Sequence, residues 1–125
     1  MEFYEERAVL DVIPEMAYKH VAVTLMFKDD DSNQIVESIR MMLRESNLRF
    51  TIIKRNVSIG RKYRSADEIG IPFFITVDKT STKDGCVTLR HRNSADQIRI
   101  KVAAIRQIVE ELVSGEIGWN RMRQI

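Results

Sequence analysis

The sequence predicts an α/β domain in which a mixed sheet of about five strands packs with three helices. Segments rich in β-branched residues alternate with segments whose apolar residues recur every three or four positions, in the order β-α-β-α-β-β-β-α. The run Pro72–Val77 is apolar at nearly every position, as in a strand covered on both faces. Cys86 to Val102 reads as two alternating strands joined by a turn, which is a hairpin. Parallel and antiparallel pairing should therefore occur in one sheet.

Length and composition indicate one ordinary globular domain. A chain of 125 residues can bury roughly two thirds of its unfolded surface. The net charge of +2 excludes nothing by itself. No apolar stretch approaches the ~20 residues of a membrane span, so we expect no membrane partner. The single cysteine, Cys86, excludes an internal disulfide and favours a reducing compartment, the cytoplasm with the mitochondrion as the alternative.

The first half should contain a lead-in and a strand-helix-strand unit. Residues 1–17 show no period and are interpreted as a lead-in from an upstream domain, with the domain itself at 18–125. His20–Phe27 and Arg49–Ile53 are predicted strands. The helix between them should be capped by Asp31 or Ser32 and ended by a left-handed Asn47. Its core-facing residues follow a helical period: Ile35, Val36, Ile39, Met42 and Leu43.

The second helix should begin at Ser58, whose hydroxyl can accept a hydrogen bond from a first-turn amide. Its predicted core-facing stripe consists of Ile59, Tyr63, Ala66 and Ile69. Gly70 stands where a helix end favours a left-handed residue, and Pro72 prevents continuation. The predicted strand Pro72–Asp78 follows.

The last third should contain a turn, the hairpin and a final helix. Lys83-Asp84-Gly85 is a turn signal, and the hairpin strands are predicted at Cys86–His91 and Gln97–Val102. The last substantial helix shows its apolar period from Ile105 to Leu112 and should stop at Gly115. A short turn or helix around Trp119 is expected to pack the tail onto the domain.

A basic run is the first functional signal. Five cations and no acid lie between Lys54 and Arg64, beside a predicted helix start. This pattern favours an anion site, and Gly60 would let a phosphate approach the backbone closely. The alternative is an ordinary solvated helix surface. The spaced glycines and Lys-Ser/Thr of a nucleotide-hydrolysing phosphate loop are absent.

The predicted hairpin is the second functional signal. Alternation places Arg90, Arg92, Arg99 and Lys101 on one face, with only Asp96 nearby. Like charges on facing strands destabilise a hairpin by tenths to about 1 kcal/mol per pair. A polyanionic partner explains such a face better than stability does. The alternative is a solvated face whose arginines are paired by acids elsewhere, such as Glu68.

No catalytic or metal site is expected in this chain. His20 and His91 lie far apart, with no cysteine or carboxylate at ligand spacing. Cys86 is interpreted as a small buried or half-buried hydrophobe, and no base partner for a nucleophile is identified. The acids Asp29-Asp30-Asp31 are interpreted as a solvated helix entry.

Three blocks of sequence resemble one known family. They are the stretch from Ser58-Ile-Gly-Arg-Lys-Tyr-Arg to Asp67-Glu-Ile-Gly-Ile-Pro-Phe, the stretch Val87–Arg99, and the stretch Ile108–Trp119 with Leu112-Val-Ser-Gly-Glu-Ile-Gly-Trp. Their order and content resemble the anticodon-binding domain of class II glycyl-tRNA synthetases. The resemblance implies the same α/β architecture.

The resemblance also implies a role. The chain would hold the tRNA anticodon arm, so that the acceptor end reaches a catalytic domain that belongs to the same parent chain and is absent here. The RNA-binding candidates are Arg61, Lys62 and Arg64 in the basic run and Arg90, Arg92 and Arg99 in the hairpin. No cofactor is expected in this domain; ATP and Mg²⁺ would serve the parent, a homodimeric glycine–tRNA ligase. Residues 1–125 alone would not be catalytic.

Two stretches of the sequence depart from the family pattern. The family usually has Arg-Asp-Arg-Asp where this chain has Arg90-His91-Arg92-Asn93, and an Asp-Asp pair where it has Lys54–Val57. The alternative function is a non-decoding module that binds nucleic acid or protein on the same scaffold. The similar domain in the accessory subunit of the mitochondrial DNA polymerase is an example.

Overall fold

A computed structural model describes residues 17–124 of the chain. The predicted lead-in falls outside the described residues except for Ala17. The α-helices and strands in the described part are β1 Val21–Leu25, α1 Asp30–Arg44, β2 Phe50–Ile53, α2 Ile59–Glu68, β3 Phe73–Val77, α3 Ser81–Asp84, β4 Cys86–His91, β5 Gln97–Lys101, α4 Ile105–Ser114 and α5 Trp119–Met122. A short 3-10 helix, Val102–Ala104, joins β5 to α4.

The sheet has five strands in the order β2-β1-β3-β4-β5, and the predicted mixed sheet is confirmed. Strands β1, β2 and β3 run parallel, whereas β4 and β5 form the predicted antiparallel hairpin. The chain moves from β1 outwards to β2 and then back past β1 to β3. Because such crossovers are right-handed, α1 and α2 lie on opposite faces of the sheet.

The larger core lies between the sheet and the helices α1, α4 and α5. It includes Val23 of β1, Ile75 of β3, Ile39 of α1, Val109 of α4 and Trp119 of α5. The apolar period predicted for α1 is confirmed, because Val36, Ile39 and Leu43 are buried and Ile35 and Met42 pack against them.

The smaller core lies on the other face of the sheet, beneath α2. It consists of Ala22, Ala66, Ile71 and Phe74, with Ile53 and Tyr63 packed against them. No other helix in residues 17–124 contributes to it. Helix α2 is therefore held mainly by contacts other than apolar burial.

Both predicted ends of α1 were wrong. The cap is Asp29, whose carboxylate accepts from the Ser32 amide at 2.7 Å, because its backbone is extended while the next residue is already helical. No left-handed residue ends the helix, since Ala95 is the only non-glycine residue with positive φ in residues 17–124. Instead, the Ser46 hydroxyl donates to the Leu43 carbonyl and accepts from the Leu48 amide.

The predicted apolar stripe of α2 is confirmed for Tyr63 and Ala66 and was wrong for Ile69. Ile69 is 60% exposed, and the buried residues of α2 are Lys62, Ala66 and Asp67. The sheet beneath α2 offers hydrogen-bond partners to two of these residues. Thr24 accepts from Lys62, and Arg90 donates to Asp67. The helix is thus rotated so that two charged residues face the sheet.

Gly70 adopts the predicted left-handed conformation, with φ of 81°. We expect Gly70→Val to lower the free energy of unfolding by about 1 kcal/mol or more, because a branched side chain is strained there. The change corresponds to a melting temperature lower by roughly 3–6 °C. The control is Gly60→Ala, whose added Cβ would meet open space within regular helix. Equal melting temperatures for both variants would contradict the helix end described here.

Candidate nucleic-acid interface

A row of polar side chains crosses the sheet on the face that α2 covers. Thr24 of β1 is in register with Thr76 of β3, Thr76 with Thr88 of β4, and Thr88 with Arg99 of β5. The row lies near the carboxyl ends of β1 and β3. Lys62 and Tyr63 of α2 reach the first two threonines, so the N-terminal half of the helix is anchored by polar contacts.

Lys62 lies at one end of this row and is only 5% exposed. Its Nζ donates to Thr24 Oγ1 at 2.9 Å, and that hydroxyl donates to the Ile53 carbonyl at 2.6 Å. Burial lowers the pKa of Lys62, and the positive charges of Lys28 and Arg55 lower it further. An ammonium offers three donors, yet within residues 17–124 Thr24 is its one acceptor.

Four exposed cations surround Lys62 in space or flank it on α2. Arg61 and Arg64 are exposed and make no salt bridge with residues 17–124. Arg55 donates to the neutral Ser65 hydroxyl at 3.2 Å. We call Lys28, Arg55, Arg61, Lys62 and Arg64 the basic surface. Within residues 17–124 these cations make no salt bridge to a carboxylate, whereas Lys54, at the edge of the surface, lies 3.8 Å from Glu37.

Acids lie close in sequence to the basic surface. Asp30 and Asp31, which follow Lys28, line depressions along α1. Glu68 lies one helical turn after Arg64. Within residues 17–124, no salt bridge joins any of these acids to the basic surface.

Arg90 and Arg92 are buried and hold the C-terminal half of α2. Arg90 makes two hydrogen bonds to the Asp67 carboxylate, at 3.0 and 3.3 Å, and its guanidinium lies 4.6 Å from the Tyr63 ring centre. Arg92 Nε donates to the Asp67 carbonyl at 2.9 Å. We call these contacts the Asp67 clamp.

Arg99 is paired at the other end of the polar row. Its guanidinium donates to Asp78 at 2.6 and 3.0 Å and to Asp84 at 3.1 and 3.2 Å. These hydrogen bonds raise the pKa of Arg99 and lower the pKa values of Asp78 and Asp84. Arg99 thus joins β5 to the end of β3 and to α3.

The hairpin prediction was correct in its geometry and wrong in its electrostatics. The register places Thr88, Arg90, Arg99 and Lys101 on one face, as alternation predicted. The face does not carry unpaired arginine charge, because Asp67, Asp78 and Asp84 balance Arg90 and Arg99. These acids come from α2, from the residue after β3 and from α3, and Glu68 is not among them.

The C-terminal segment is fixed by an aromatic stack, as expected for Trp119. The ring centre of His91 lies 4.8 Å from that of Trp119 and 5.8 Å from that of Phe73, and the Phe73 and Trp119 ring centres are 6.4 Å apart. His91 Nδ1 is 2.8 Å from the Ser94 hydroxyl, and burial lowers the pKa of His91. Trp119 is itself buried. It therefore packs α5 onto the hairpin rather than offering a surface for a base.

Chemical sites other than the basic surface are not apparent in the described part. Residues 17–124 contain no group of three His, Cys, Asp or Glu side chains placed to hold a metal ion. Their helices are all too short or too polar to cross a membrane. Cys86 is half-buried, as expected, and its thiol lies 3.5 Å from the Asp84 carbonyl.

Sequence reasoning named Arg61, Lys62 and Arg64 as site residues and counted Arg55 in the basic run, but it missed Lys28. Lys28 and Arg55 follow the carboxyl ends of the parallel strands β1 and β2 respectively. Ligands of open α/β sheets bind at that edge, next to the point where the strand order reverses. In this sheet the strand order reverses between β1 and β3. A prediction of the strand order would therefore have indicated this edge as the binding site.

Comparisons with known proteins agree with this architecture. A family model described as "Anticodon binding domain" matches residues 20–112. A glycine–tRNA ligase from Encephalitozoon cuniculi is 39% identical over 93% of this chain and 20% of its own length. The corresponding values for a glycine–tRNA ligase from Methanocaldococcus jannaschii are 37%, 86% and 18%. The chain thus spans about a fifth of the length of these relatives.

A solved structure shares the fold at lower sequence identity. It is a prolyl-tRNA synthetase from Cryptosporidium parvum, crystallised with halofuginone and AMPPNP. The match has a TM-score of 0.78 and 17% identity, and covers 85% of this chain and 23% of that chain.

The Asp67 clamp makes a stability prediction. Arg90→Ala should lower the free energy of unfolding by about 3–5 kcal/mol, because it removes one partner of a buried ion pair. Chemical denaturation measures this change. Arg106→Ala is the matched control, since Arg106 pairs with Glu110 on the exposed side of α4, where such a pair contributes about 0.2–1 kcal/mol. An Arg90→Ala domain as stable as the control would contradict the clamp.

The Arg99 pairs make a pH prediction. Their carboxylates have folded-state pKa values below the ordinary value of about 4. Ionised Asp78 and Asp84 therefore stabilise the fold fully above that pH, and this contribution is lost as pH falls through the lower folded-state values. Arg99→Gln should lower the melting temperature at pH 7, and the difference from wild type should shrink between about pH 5 and pH 2. A difference independent of pH would contradict the pairing.

Proposed function

The chain belongs to the family of anticodon-binding domains, and from this premise we propose that it binds the anticodon arm of tRNA for a glycine–tRNA ligase. Membership of this family supports tRNA as the ligand. The relatives reported above are named glycine–tRNA ligases, which supports glycine as the amino acid. The bound arm would be held so that the acceptor end of the tRNA reaches a catalytic domain elsewhere in the parent protein.

The observation that carries this proposal is the basic surface around α2, whose cations make no salt bridge to a carboxylate within residues 17–124. An RNA loop presents phosphates on its backbone and unstacked bases, and phosphate contacts supply most of the affinity. Arg61 and Arg64 are exposed and are proposed as phosphate contacts. Lys62 lies deeper and would contact only a phosphate that enters the site between Lys28 and Arg55.

Arg90, Arg92 and Arg99 take a different role in this proposal. Arg90 and Arg92 are committed to Asp67, and Arg99 is committed to Asp78 and Asp84. We therefore propose that they act on RNA indirectly, by holding α2 and the hairpin in position. Discrimination among bases would come from groups beside the basic surface rather than from these arginines.

The whole protein is proposed to be a glycine–tRNA ligase. The domain would occupy residues 18–125, and the catalytic domain of the same parent chain would bind ATP and Mg²⁺ and form a homodimer. We propose the cytoplasm as its compartment, with the mitochondrion as the alternative; a Saccharomyces cerevisiae relative 33% identical to this chain is named a mitochondrial enzyme.

RNA affinity at several salt concentrations tests the proposal. Arg61→Ala and Arg64→Ala should weaken binding of RNA stem-loops about equally and lower the slope of log affinity against log salt by roughly one unit each. The wild-type chain should bind a glycine anticodon stem-loop more tightly than a scrambled loop on the same stem. Both measurements can be made by fluorescence anisotropy on the 125-residue chain.

Arg106→Ala is again the control, because it removes the same charge from α4 on the opposite layer. The proposal fails if the control changes the salt slope as much as the α2 variants do. Equal affinity for the glycine and scrambled loops would instead favour a non-decoding module, such as the accessory-subunit domain described above.

A further inference from the structure

The loop between β1 and α1 exposes two large apolar side chains beside the basic surface. Met26 is 49% exposed and Phe27 is 46% exposed, directly before Lys28. Neither side chain belongs to the two apolar clusters of the described residues. Packing among residues 17–124 therefore leaves Phe27 about half exposed.

The loop and Lys62 meet at the carboxyl end of β1. Thr24, which holds the Lys62 ammonium, is followed by Leu25 and then by the loop. The Met26 amide still donates to the Val77 carbonyl at 2.9 Å, so the loop starts from a fixed strand end between β1 and β3. This is the point where the strand order reverses and where ligands of open α/β sheets bind.

The chemistry of the two parts is complementary. Within residues 17–124, Thr24 Oγ1 is the one acceptor for the three N–H groups of the Lys62 ammonium. Lys28 and Arg55 add positive charge near it. Phe27 directly precedes Lys28 in the chain and adds an aromatic ring. A buried ammonium and an exposed ring at the same end of β1 suit a ligand that carries both an anion and a flat apolar group. A nucleotide in a single strand has both.

We propose that Lys62 and the loop Met26–Lys28 form a subsite for one unpaired nucleotide of the RNA, with its phosphate on Lys62 and its base stacked on Phe27. The subsite deepens the proposed function, since it rests on RNA being the ligand of the basic surface. It assigns the recognition of an unstacked base to a segment outside both α2 and the hairpin.

The acids that follow Lys28 do not oppose this assignment. Asp29 caps α1 by accepting from the Ser32 amide, and that hydrogen bond lowers the pKa of Asp29. Its negative charge faces the positive end of the helix. Asp30 and Asp31 line depressions along α1, and within residues 17–124 no salt bridge joins them to the basic surface.

The chain contains a matched control for the test. Tyr18 is a second exposed aromatic residue that is followed by a lysine, Lys19. Tyr18 is 74% exposed and precedes β1, whereas Phe27 follows that strand. Phe27→Leu and Tyr18→Leu remove the same kind of ring from the two ends of one strand. Lys62→Met and Lys19→Met remove one ammonium each.

The first measurement is affinity for a glycine anticodon stem-loop and for a fully paired hairpin stem. Stacking of a base on an aromatic ring contributes about 1–3 kcal/mol, which is roughly 5- to 150-fold in affinity. Phe27→Leu should weaken stem-loop binding on the order of ten-fold, and Phe27→Tyr should restore it. Tyr18→Leu should leave it unchanged, and the paired stem should not distinguish the Phe27 variants. Lys62→Met, but not Lys19→Met, should lower the salt slope by roughly one unit.

The second measurement does not depend on the folding of any variant. A stem-loop carrying one 5-iodouridine at an unpaired position is irradiated on the wild-type chain, because iodouracil crosslinks to a ring stacked on it. The crosslinked peptide should contain Phe27. A crosslink elsewhere, or equal effects of Phe27→Leu and Tyr18→Leu, overturns the subsite while the Arg61 and Arg64 results still support RNA binding. A wild-type chain that binds no RNA overturns both proposals.

Discussion

The buried pair of Arg90 and Asp67 decides where the functional helix lies. Helix α2 has a small apolar core, and its C-terminal half is fixed to β4 through two hydrogen bonds to the Asp67 carboxylate and one to its carbonyl. A buried ion pair needs such geometry to offset the loss of hydration. The Tyr63 ring packs against the Arg90 guanidinium, and the Tyr63 hydroxyl forms a hydrogen bond with the Thr76 hydroxyl. Because these contacts fix the rotation of α2, they also fix which cations face solvent.

The positive charges of the domain therefore fall into two classes. Arg90 and Arg99 are neutralised by carboxylates from distant parts of the chain and hold elements together. The cations of the basic surface lack such partners. A surface with this imbalance is destabilised by its own repulsion until a polyanion covers it. The two classes look identical in the sequence, where both are clusters of arginine and lysine beside small or polar residues.

Local signals in the sequence predicted most of the fold. Ser58 and Gly70 mark the ends of α2 correctly, since capping and left-handed geometry depend on a few neighbouring residues. The alternation in β4 and β5 also gave the correct faces. The rotation of α2 was not predictable, because it depends on Asp67 finding Arg90 across 23 residues. The same reason explains the hairpin: acids that pair in space were not near in sequence, so the charge of its face was overestimated. Lys28, 34 residues before Lys62 in the chain, joins the basic surface only once the strand order is known.

The unequal size of the two cores has a consequence for the energy landscape of the domain. Nineteen buried residues make up the cluster beneath α1, α4 and α5, whereas four make up the cluster beneath α2. Local opening is least costly where few apolar contacts are lost. Helix α2 is thus the segment that can fray from an otherwise intact sheet, and the polar clamp is what keeps it closed. An RNA phosphate that binds only the closed helix would damp this fluctuation, so part of its binding free energy would appear as increased order in the protein.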